Sequence, residues 1–159
     1  MLKLWWCQAT QRTGLQSFSP AVFFSHCKEK INGTRLGASP TAGGANIEMG
    51  GPTSGQIIEY VRSYDPRSWS CLHVTEGGLQ CTNATVQNND IGPCGSDQFQ
   101  QWADGISLSC RSSLVRNNLI SGPTDGGIVV FGSPGSLVEN NTIWIVNVSA
   151  NFLSQASCR

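Results

Sequence analysis

Residues 103–143 read ADGISLSCRSSLVRNNLISGPTDGGIVVFGSPGSLVENNTI, and this stretch decides the fold because it repeats itself. The repeated pattern is an apolar residue, a polar residue, two asparagines, any residue and isoleucine. It occurs at residues 86–91, 115–120 and 138–143, and a weaker copy without asparagines lies at 58–63. Copies spaced by roughly 20 to 30 residues predict stacked structural units, each too small to bury its own apolar face.

Short strands, not helices, are expected between these copies. An acidic residue and one or two glycines precede a short apolar run, as in Asp104-Gly-Ile106. No apolar period long enough for a helix occurs in residues 41–146. The paired asparagines fit sharp corners, because asparagine tolerates a left-handed backbone, and stacked copies can hydrogen-bond amide to amide. Two apolar rows are then expected to point inward: Val86, Val115 and Val138, and Ile91, Ile120 and Ile143.

This repeat resembles the right-handed parallel β-helix of the pectate-lyase and polygalacturonase superfamily, and more closely the secreted parallel β-helix repeat proteins of fungi and bacteria. The resemblance covers residues 43–146 and implies an all-β solenoid of about four coils. Residues 1–42 are expected to form an N-terminal segment or cap, and residues 147–159 a tail or the start of a further coil. So few coils leave open whether the chain is a fragment of a longer helix.

Composition excludes several classes of partner. The 159 residues carry ten basic and ten acidic side chains, so the net charge is zero and nucleic acid is not an expected partner. No apolar run approaches 18 residues, so no membrane span is predicted. The length is that of one domain, and we expect a monomer.

The cysteines point to an oxidising compartment. There are seven, without a CxxC pair, and Cys81 and Cys110 both stand five residues before a repeat valine. Stacking brings their Cα atoms about one strand spacing of 4.7–4.9 Å apart, which is within disulfide range. Cys71 and Cys94, which flank the same coil, are the other plausible pair. Stacked, unpaired thiols are the alternative for Cys81 and Cys110.

Four glycosylation acceptors also favour secretion, although no signal peptide is evident in this chain. An intracellular protein with buried thiols is the alternative. The acceptors are Asn32, Asn83, Asn140 and Asn147.

Three acidic residues are the first candidates for chemistry. Glu76, Asp104 and Asp125 each precede glycine, and equivalent positions in successive coils would place them in one row. Neighbouring carboxylates can serve as acid and nucleophile in glycoside hydrolysis, or hold Ca²⁺ as a cofactor; otherwise no metal site is predicted. A purely structural role, capping turns, is the alternative.

A long loop supplies candidate substrate-binding residues. Residues 92–103 extend the turn directly before Asp104 and offer Trp102 for stacking on a sugar ring, with Gln101 and Asp97 for its hydroxyls. His73 is a candidate base, and Arg111 a candidate partner for a uronate carboxylate. Each of them also has an ordinary structural interpretation.

The resemblance implies a secreted carbohydrate-active protein, a polysaccharide lyase or a glycoside hydrolase acting on a polysaccharide or oligosaccharide. None of the catalytic motifs of the pectate lyases or polygalacturonases is found in this sequence, so the fold is better indicated than the activity. A non-catalytic β-helix that binds a glycan or a surface is the second hypothesis. A truncated remnant without independent activity is the third.

Overall fold

A computed structural model describes residues 29–35 and 44–145, which form thirteen parallel strands and no helix. Sheet A contains β1 (Glu29–Asn32), β4 (Val61–Tyr64), β7 (Asp90–Ile91), β10 (Leu119–Ser121) and β13 (Thr142–Trp144). Sheet B contains β2 (Ala45–Gly50), β5 (Ser70–Thr75), β8 (Asp104–Leu108) and β11 (Ile128–Val130). Sheet C contains β3 (Ile57–Glu59), β6 (Thr85–Gln87), β9 (Leu114–Arg116) and β12 (Leu137–Glu139). These described residues therefore contain no helix that could cross a membrane.

The chain passes through the sheets in the order B, C, A and then returns to B beside its previous strand. One such passage is a coil, so that β5, β6 and β7, for example, are followed by β8, β9 and β10 stacked upon them. The structure is therefore the all-β parallel β-helix that the repeat predicts. β1 lies in the predicted N-terminal segment and adds a further strand to sheet A by pairing with β4.

The core fills the space between the three sheets. Val86 and Val115 are aligned in sheet C, Ile91 and Ile120 in sheet A, and all four are at most 1% exposed. The prediction of two inward rows is confirmed for these positions. Leucine and isoleucine of sheet B complete this interior; its largest buried members are Leu72, Ile106 and Leu108.

The last members of both rows are aligned with the inward residues as predicted, but they are more exposed than the others. Val138 and Ile143 keep the register of Val115 and Ile120 but are 41% and 47% exposed. The reason is positional. Among the described residues no further strand pairs with β12 or β13 on their outer side, so the described part of the chain leaves these two side chains uncovered there.

The two asparagines of each repeat have different tasks. The first takes the left-handed backbone, with φ of 58° at Asn88, 54° at Asn117 and 52° at Asn140. This conformation turns the chain from sheet C into sheet A. In the weaker copy, Tyr60 takes the same position with φ of 59°.

The second asparagine forms a ladder along the helix axis. The Oδ1 of Asn118 accepts hydrogen bonds from the backbone N and the Nδ2 of Asn89, both at 3.0 Å. Asn141 accepts the equivalent pair from Asn118 at 3.0 and 2.9 Å. Each Nδ2 also donates to the carbonyl of a repeat residue in the preceding coil, as Asn118 does to Val86. The amide stacking expected from the sequence is therefore present.

Both predicted disulfides are formed. Cys81 and Cys110 join adjacent coils with their Cα atoms 5.0 Å apart, and Cys71 and Cys94, which flank one coil, have their Cα atoms 6.0 Å apart. Two disulfides are compatible with an extracellular protein. Three predicted glycosylation acceptors, Asn32, Asn83 and Asn140, are exposed, and Asn147 lies outside the described residues.

Candidate functional site

The outer face of sheet B carries the candidate site. Leu72 in β5 and Ile106 in β8 are fully buried and paired in register. Side chains alternate along a strand, so the next residues, His73 and Ser107, project from the opposite face. The register extends this row in both directions. The resulting outer row consists of Glu48, His73, Ser107 and Val129.

Asp104 lies beside this row at the start of β8. It is 9% exposed, and it is the one buried carboxylate among the described residues. Its Oδ2 accepts a hydrogen bond from Ser107 Oγ at 2.8 Å, and its Oδ1 accepts one from the backbone N of Gly126 at 2.9 Å. Its own backbone N donates to the carbonyl of Trp69 at 2.8 Å, which fixes the strand start.

The surroundings of Asp104 favour its neutral form. Burial raises the pKa of this carboxyl above its ordinary value, since a charge is poorly solvated there. Hydrogen bonds from Gly126 and Ser107 oppose that rise in the pKa, the nearby Asp125 carboxylate adds to it, and His73 reduces it. A carboxyl that holds its proton to higher pH is suited to act as a general acid.

A short chain of hydroxyl groups leads inward from Asp104. Ser107 Oγ lies 2.8 Å from Asp104 Oδ2 and 2.9 Å from Ser70 Oγ, and Ser70 Oγ donates to the Leu72 carbonyl at 2.9 Å. A hydroxyl has a single proton to donate. Ionised Asp104 therefore accepts the hydrogen bond of Ser107, whose Oγ can in turn accept one from Ser70. Protonated Asp104 instead donates a hydrogen bond to Ser107, which then donates to Ser70. The chain accommodates both charge states of the carboxyl.

His73 is placed between an acid and an aromatic ring. Its imidazole packs edge-on against Trp69, with ring centroids 4.6 Å apart. The Nδ1 atom is buried without a hydrogen-bond partner, and Glu48 Oε1 is 3.9 Å away, which is too far for a hydrogen bond. His73 is near enough to Asp104 to lower the pKa of that carboxyl slightly by electrostatics.

The comparison with protein families agrees with this architecture. The family described as "Right handed beta helix region" matches residues 53–157, about two thirds of the chain. The chain belongs to the right-handed β-helix family. No curated protein and no solved structure matches it.

The loop before Asp104 presents aromatic side chains to solvent on this β-helix. Trp102 is 45% exposed and Phe99 is 77% exposed, and their rings pack edge-on with centroids 5.7 Å apart. Asp97 is exposed in the same loop. The predicted stacking residue Trp102 is thus accessible two residues from Asp104.

Gln101 has a different environment from the one expected for a sugar-binding amide. Its Nε2 donates to Gln98 Oε1 at 2.8 Å, and its Oε1 accepts from Ser96 Oγ at 3.3 Å. Its backbone carbonyl also accepts from the backbone N of Ser96 at 2.9 Å. The amide therefore closes the loop upon itself, with one partner within the loop for its nitrogen and one for its oxygen.

The expected row of three carboxylates is wrong for Glu76. The register pairs Asp104 with Ser70, at the start of β5, whereas Glu76 follows the last residue of that strand. The Glu76-Gly-Gly sequence resembles a strand start but forms a turn. Asp125 lies close to Asp104 but one residue out of the predicted register, because Asp104 aligns with Gly126 and the backbone N of Asp125 donates to the carbonyl of Ala103 at 3.2 Å.

Arg111 is also separated from Asp104. It is exposed beyond the carboxyl end of β8, whose first residue is Asp104. There it borders a small cavity over the Cys81–Cys110 disulfide. The cavity is lined by Leu79, Cys81, Ser109, Arg111, Gly132 and Pro134.

The residues near Asp104 do not fit a Ca²⁺ site. Without Glu76 the expected row is reduced to two carboxylates, and each oxygen of Asp104 already accepts a hydrogen bond. Within residues 29–35 and 44–145, no three His, Cys, Asp or Glu side chains are grouped so as to hold a metal ion.

Four residues of the site were missed by sequence reasoning: Glu48, Trp69, Ser70 and Ser107. A usable signal was present in the apolar residues of sheet B. Aligning Ile47, Leu72 and Ile106 as inward positions puts their successors, Glu48, His73 and Ser107, in one outer row. Trp69 and Ser70 carry no such signal, because they lie at the irregular entrance to β5.

Proposed function

We propose that this β-helix is a carbohydrate-active protein that hydrolyses glycosidic bonds on the outer face of sheet B. The observation that carries the proposal is Asp104. It is a buried carboxyl with a raised pKa, beside a second carboxylate and next to exposed aromatic rings. Hydrolysis of a glycosidic bond requires one protonated and one ionised carboxyl group at the same site.

The two carboxyls have different environments and therefore different roles. Asp104 is the general acid, which protonates the departing glycosidic oxygen. Asp125 is exposed and is the second carboxylate, which acts on water or on the sugar carbon. Asp125 also raises the pKa of Asp104 by its charge, which adds to the effect of burial and favours the protonated form of the acid.

The charge of the site favours a neutral polysaccharide. Asp104, Asp125 and Glu48 are acidic, and the candidate cation for a uronate, Arg111, lies beyond the other end of β8. A lyase acting on a uronate must neutralise the carboxylate of its substrate, so polysaccharide elimination is the less favoured alternative reaction here.

Non-catalytic glycan binding is the second candidate function. It rests on the exposed pair Phe99 and Trp102, whose rings offer a platform for a sugar face whatever the protonation of Asp104. On this proposal, Trp102 is needed for binding and Asp104 is not.

An assay on a panel of polysaccharides tests the proposal. Wild-type protein is incubated with arabinan, galactan, xylan, pectin and alginate, and reducing ends and ultraviolet-absorbing unsaturated products are measured. Asp104→Asn should abolish the release of reducing ends from a neutral polymer. Asp90→Asn is the matched control, because Asp90 lies on sheet A, ion-paired with Arg62 at 3.2 Å.

The outcomes separate the two functions. The non-catalytic function is indicated if wild type binds a polymer without releasing product, if Trp102→Ala loses this binding, and if Asp104→Asn keeps it. Unsaturated products indicate a lyase. If wild type neither binds nor cleaves any polymer in the panel, the proposed function is refuted.

We further propose that the protein is a secreted, glycosylated monomer. The two disulfides and three exposed acceptor asparagines support this. Expression through a eukaryotic secretory pathway should give a mass that falls on treatment with an N-glycosidase. Sedimentation should give the mass of one chain.

A further inference from the structure

A buried arginine connects the N-terminal strand with the candidate site. Arg35 follows β1, and its backbone N donates to the Asp65 carbonyl at 3.1 Å. The residue is 8% exposed, although it carries a charge. Burial lowers the pKa of its guanidinium, and the nearby Asp65 carboxylate raises it. A buried cation is expensive unless its donors are satisfied, so the partners of this one are informative.

The partners of the guanidinium are three backbone carbonyls from two separate loops. Its Nε donates to Pro66, and its Nη2 donates to Ser68 at 2.7 Å. Both carbonyls lie in the loop between β4 and β5. Its Nη1 donates to the carbonyl of Gln101 at 3.1 Å, in the loop before β8. One rigid group thus joins the loops that enter two neighbouring strands of sheet B.

Each loop carries an aromatic residue directly after its contact with Arg35. Trp69 follows Ser68 and packs on His73, whereas Trp102 follows Gln101 and lies two residues before Asp104. The separation of the two indoles therefore depends on how the two loops are held together.

We propose that Arg35 is a positioning residue, which sets the separation of Trp69 and Trp102 at the entrance to sheet B near Asp104 for glycan binding. This inference rests on the proposed function. Arginine is required because its planar fork can reach three carbonyls at once, and a lysine ammonium on a flexible stem has a different geometry.

Hydrogen exchange tests the structural half of the inference. Arg35→Lys should increase amide exchange in residues 65–70 and 95–103, and leave exchange in sheet C unchanged. Arg62→Lys is the matched control, because it makes the same replacement on sheet A. Val115→Ala is the control for a general loss of stability, since Val115 lies in the core of sheet C.

Binding and turnover test the functional half. On the polysaccharide that wild type uses, Arg35→Lys should raise KM at least about tenfold, because small displacements of binding groups have large effects. The shape of its pH profile should stay that of wild type, since Asp104 is retained. Val115→Ala and Arg62→Lys should leave KM unchanged even if the first of them lowers the melting temperature.

Two results overturn this inference without affecting the proposed function. One is that amide exchange in the two loops is the same in Arg35→Lys as in the controls. The other is that exchange in the loops increases while KM stays unchanged. A rise in KM of the same size in Val115→Ala also overturns it, because Arg35 would then act only through stability. If wild type binds no polysaccharide, the proposed function fails and the assignment of Arg35 to glycan binding fails with it.

Discussion

At the scale of single residues, the two asparagines of each repeat differ in which residue types could replace them without loss of stability. The first must adopt a left-handed backbone, which glycine does more easily than any other residue. The second must offer one acceptor and two donors in a buried position, which glycine cannot do. Asn117 and Asn118 are neighbours in sequence but have these two different requirements.

Substitutions at this pair should separate the two requirements. Asn118→Ala should lower the free energy of unfolding by on the order of 3 kcal/mol, because buried partners above and below lose their hydrogen bonds. Asn117→Ala should cost about 1 kcal/mol for the left-handed backbone, and Asn117→Gly almost nothing. Urea denaturation measures all three, and an equal loss in the two alanine variants would contradict the division of roles.

The raised pKa of Asp104 makes a prediction for stability against pH. A carboxyl whose pKa is higher in the folded than in the unfolded chain favours folding while it is protonated. This contribution is complete below the ordinary pKa near 3.8, and it is lost as the pH rises through the folded pKa. Relative to Asp104→Asn, which does not titrate there, wild type should therefore lose stability as the pH rises from acid to neutral.

Urea midpoints of both proteins across that pH range provide the measurement, and the quantity of interest is their difference. Asp90→Asn again serves as the control, because Asp90 is ion-paired on the surface. A difference that does not change with pH would show that Asp104 titrates as an ordinary surface carboxyl.

At the scale of strands and their connections, one disulfide joins two neighbouring coils and the other closes a single coil. Cys81–Cys110 lies where sheet B leads into sheet C, and Cys71–Cys94 links β5 to the connection that leads to β8. The cysteines of Cys81–Cys110 are 29 residues apart in sequence and those of Cys71–Cys94 are 23 apart, so the two disulfides close chain segments of similar length.

Removing either disulfide should therefore have a similar effect on the unfolded chain. Replacing both cysteines of one pair by alanine should lower the free energy of unfolding by about 3 kcal/mol in each case, because closing loops of similar length removes similar entropy. Denaturation of the two double variants measures this. Peptide mapping without reduction should find these two links, and a Cys81–Cys94 link would contradict the register of the coils.

The elements also show what sequence could predict. The corners repeat with the same residue types, so register in sheets A and C followed directly from the asparagine pairs. The entrances to sheet B differ in length and composition. Glu76-Gly-Gly was therefore matched to Asp104 although the apolar residues Leu72 and Ile106 fix the true alignment. The contacts of Arg35 join residues 31 to 66 positions apart and leave no periodic signal.

At the scale of the whole molecule, burial depends on the position of a coil in the stack. β5 to β10 have strands on both sides, whereas β11, β12 and β13 are covered on one side by the described residues. Apolar side chains are accordingly exposed on these last strands. They include Val130, Leu137, Val138, Ile143 and Trp144.

The same substitution at two heights of the stack should show this dependence. Val115 and Val138 occupy equivalent positions in β9 and β12, but they are 0% and 41% exposed. Val115→Ala should cost about 2 kcal/mol, since it removes two buried methyl groups and leaves a cavity. Val138→Ala should cost less than about 1 kcal/mol, because much of its side chain already contacts solvent. Chemical denaturation of both variants in the same buffer measures the two losses in free energy of unfolding. Equal losses would show that Val138 is covered in solution as fully as Val115.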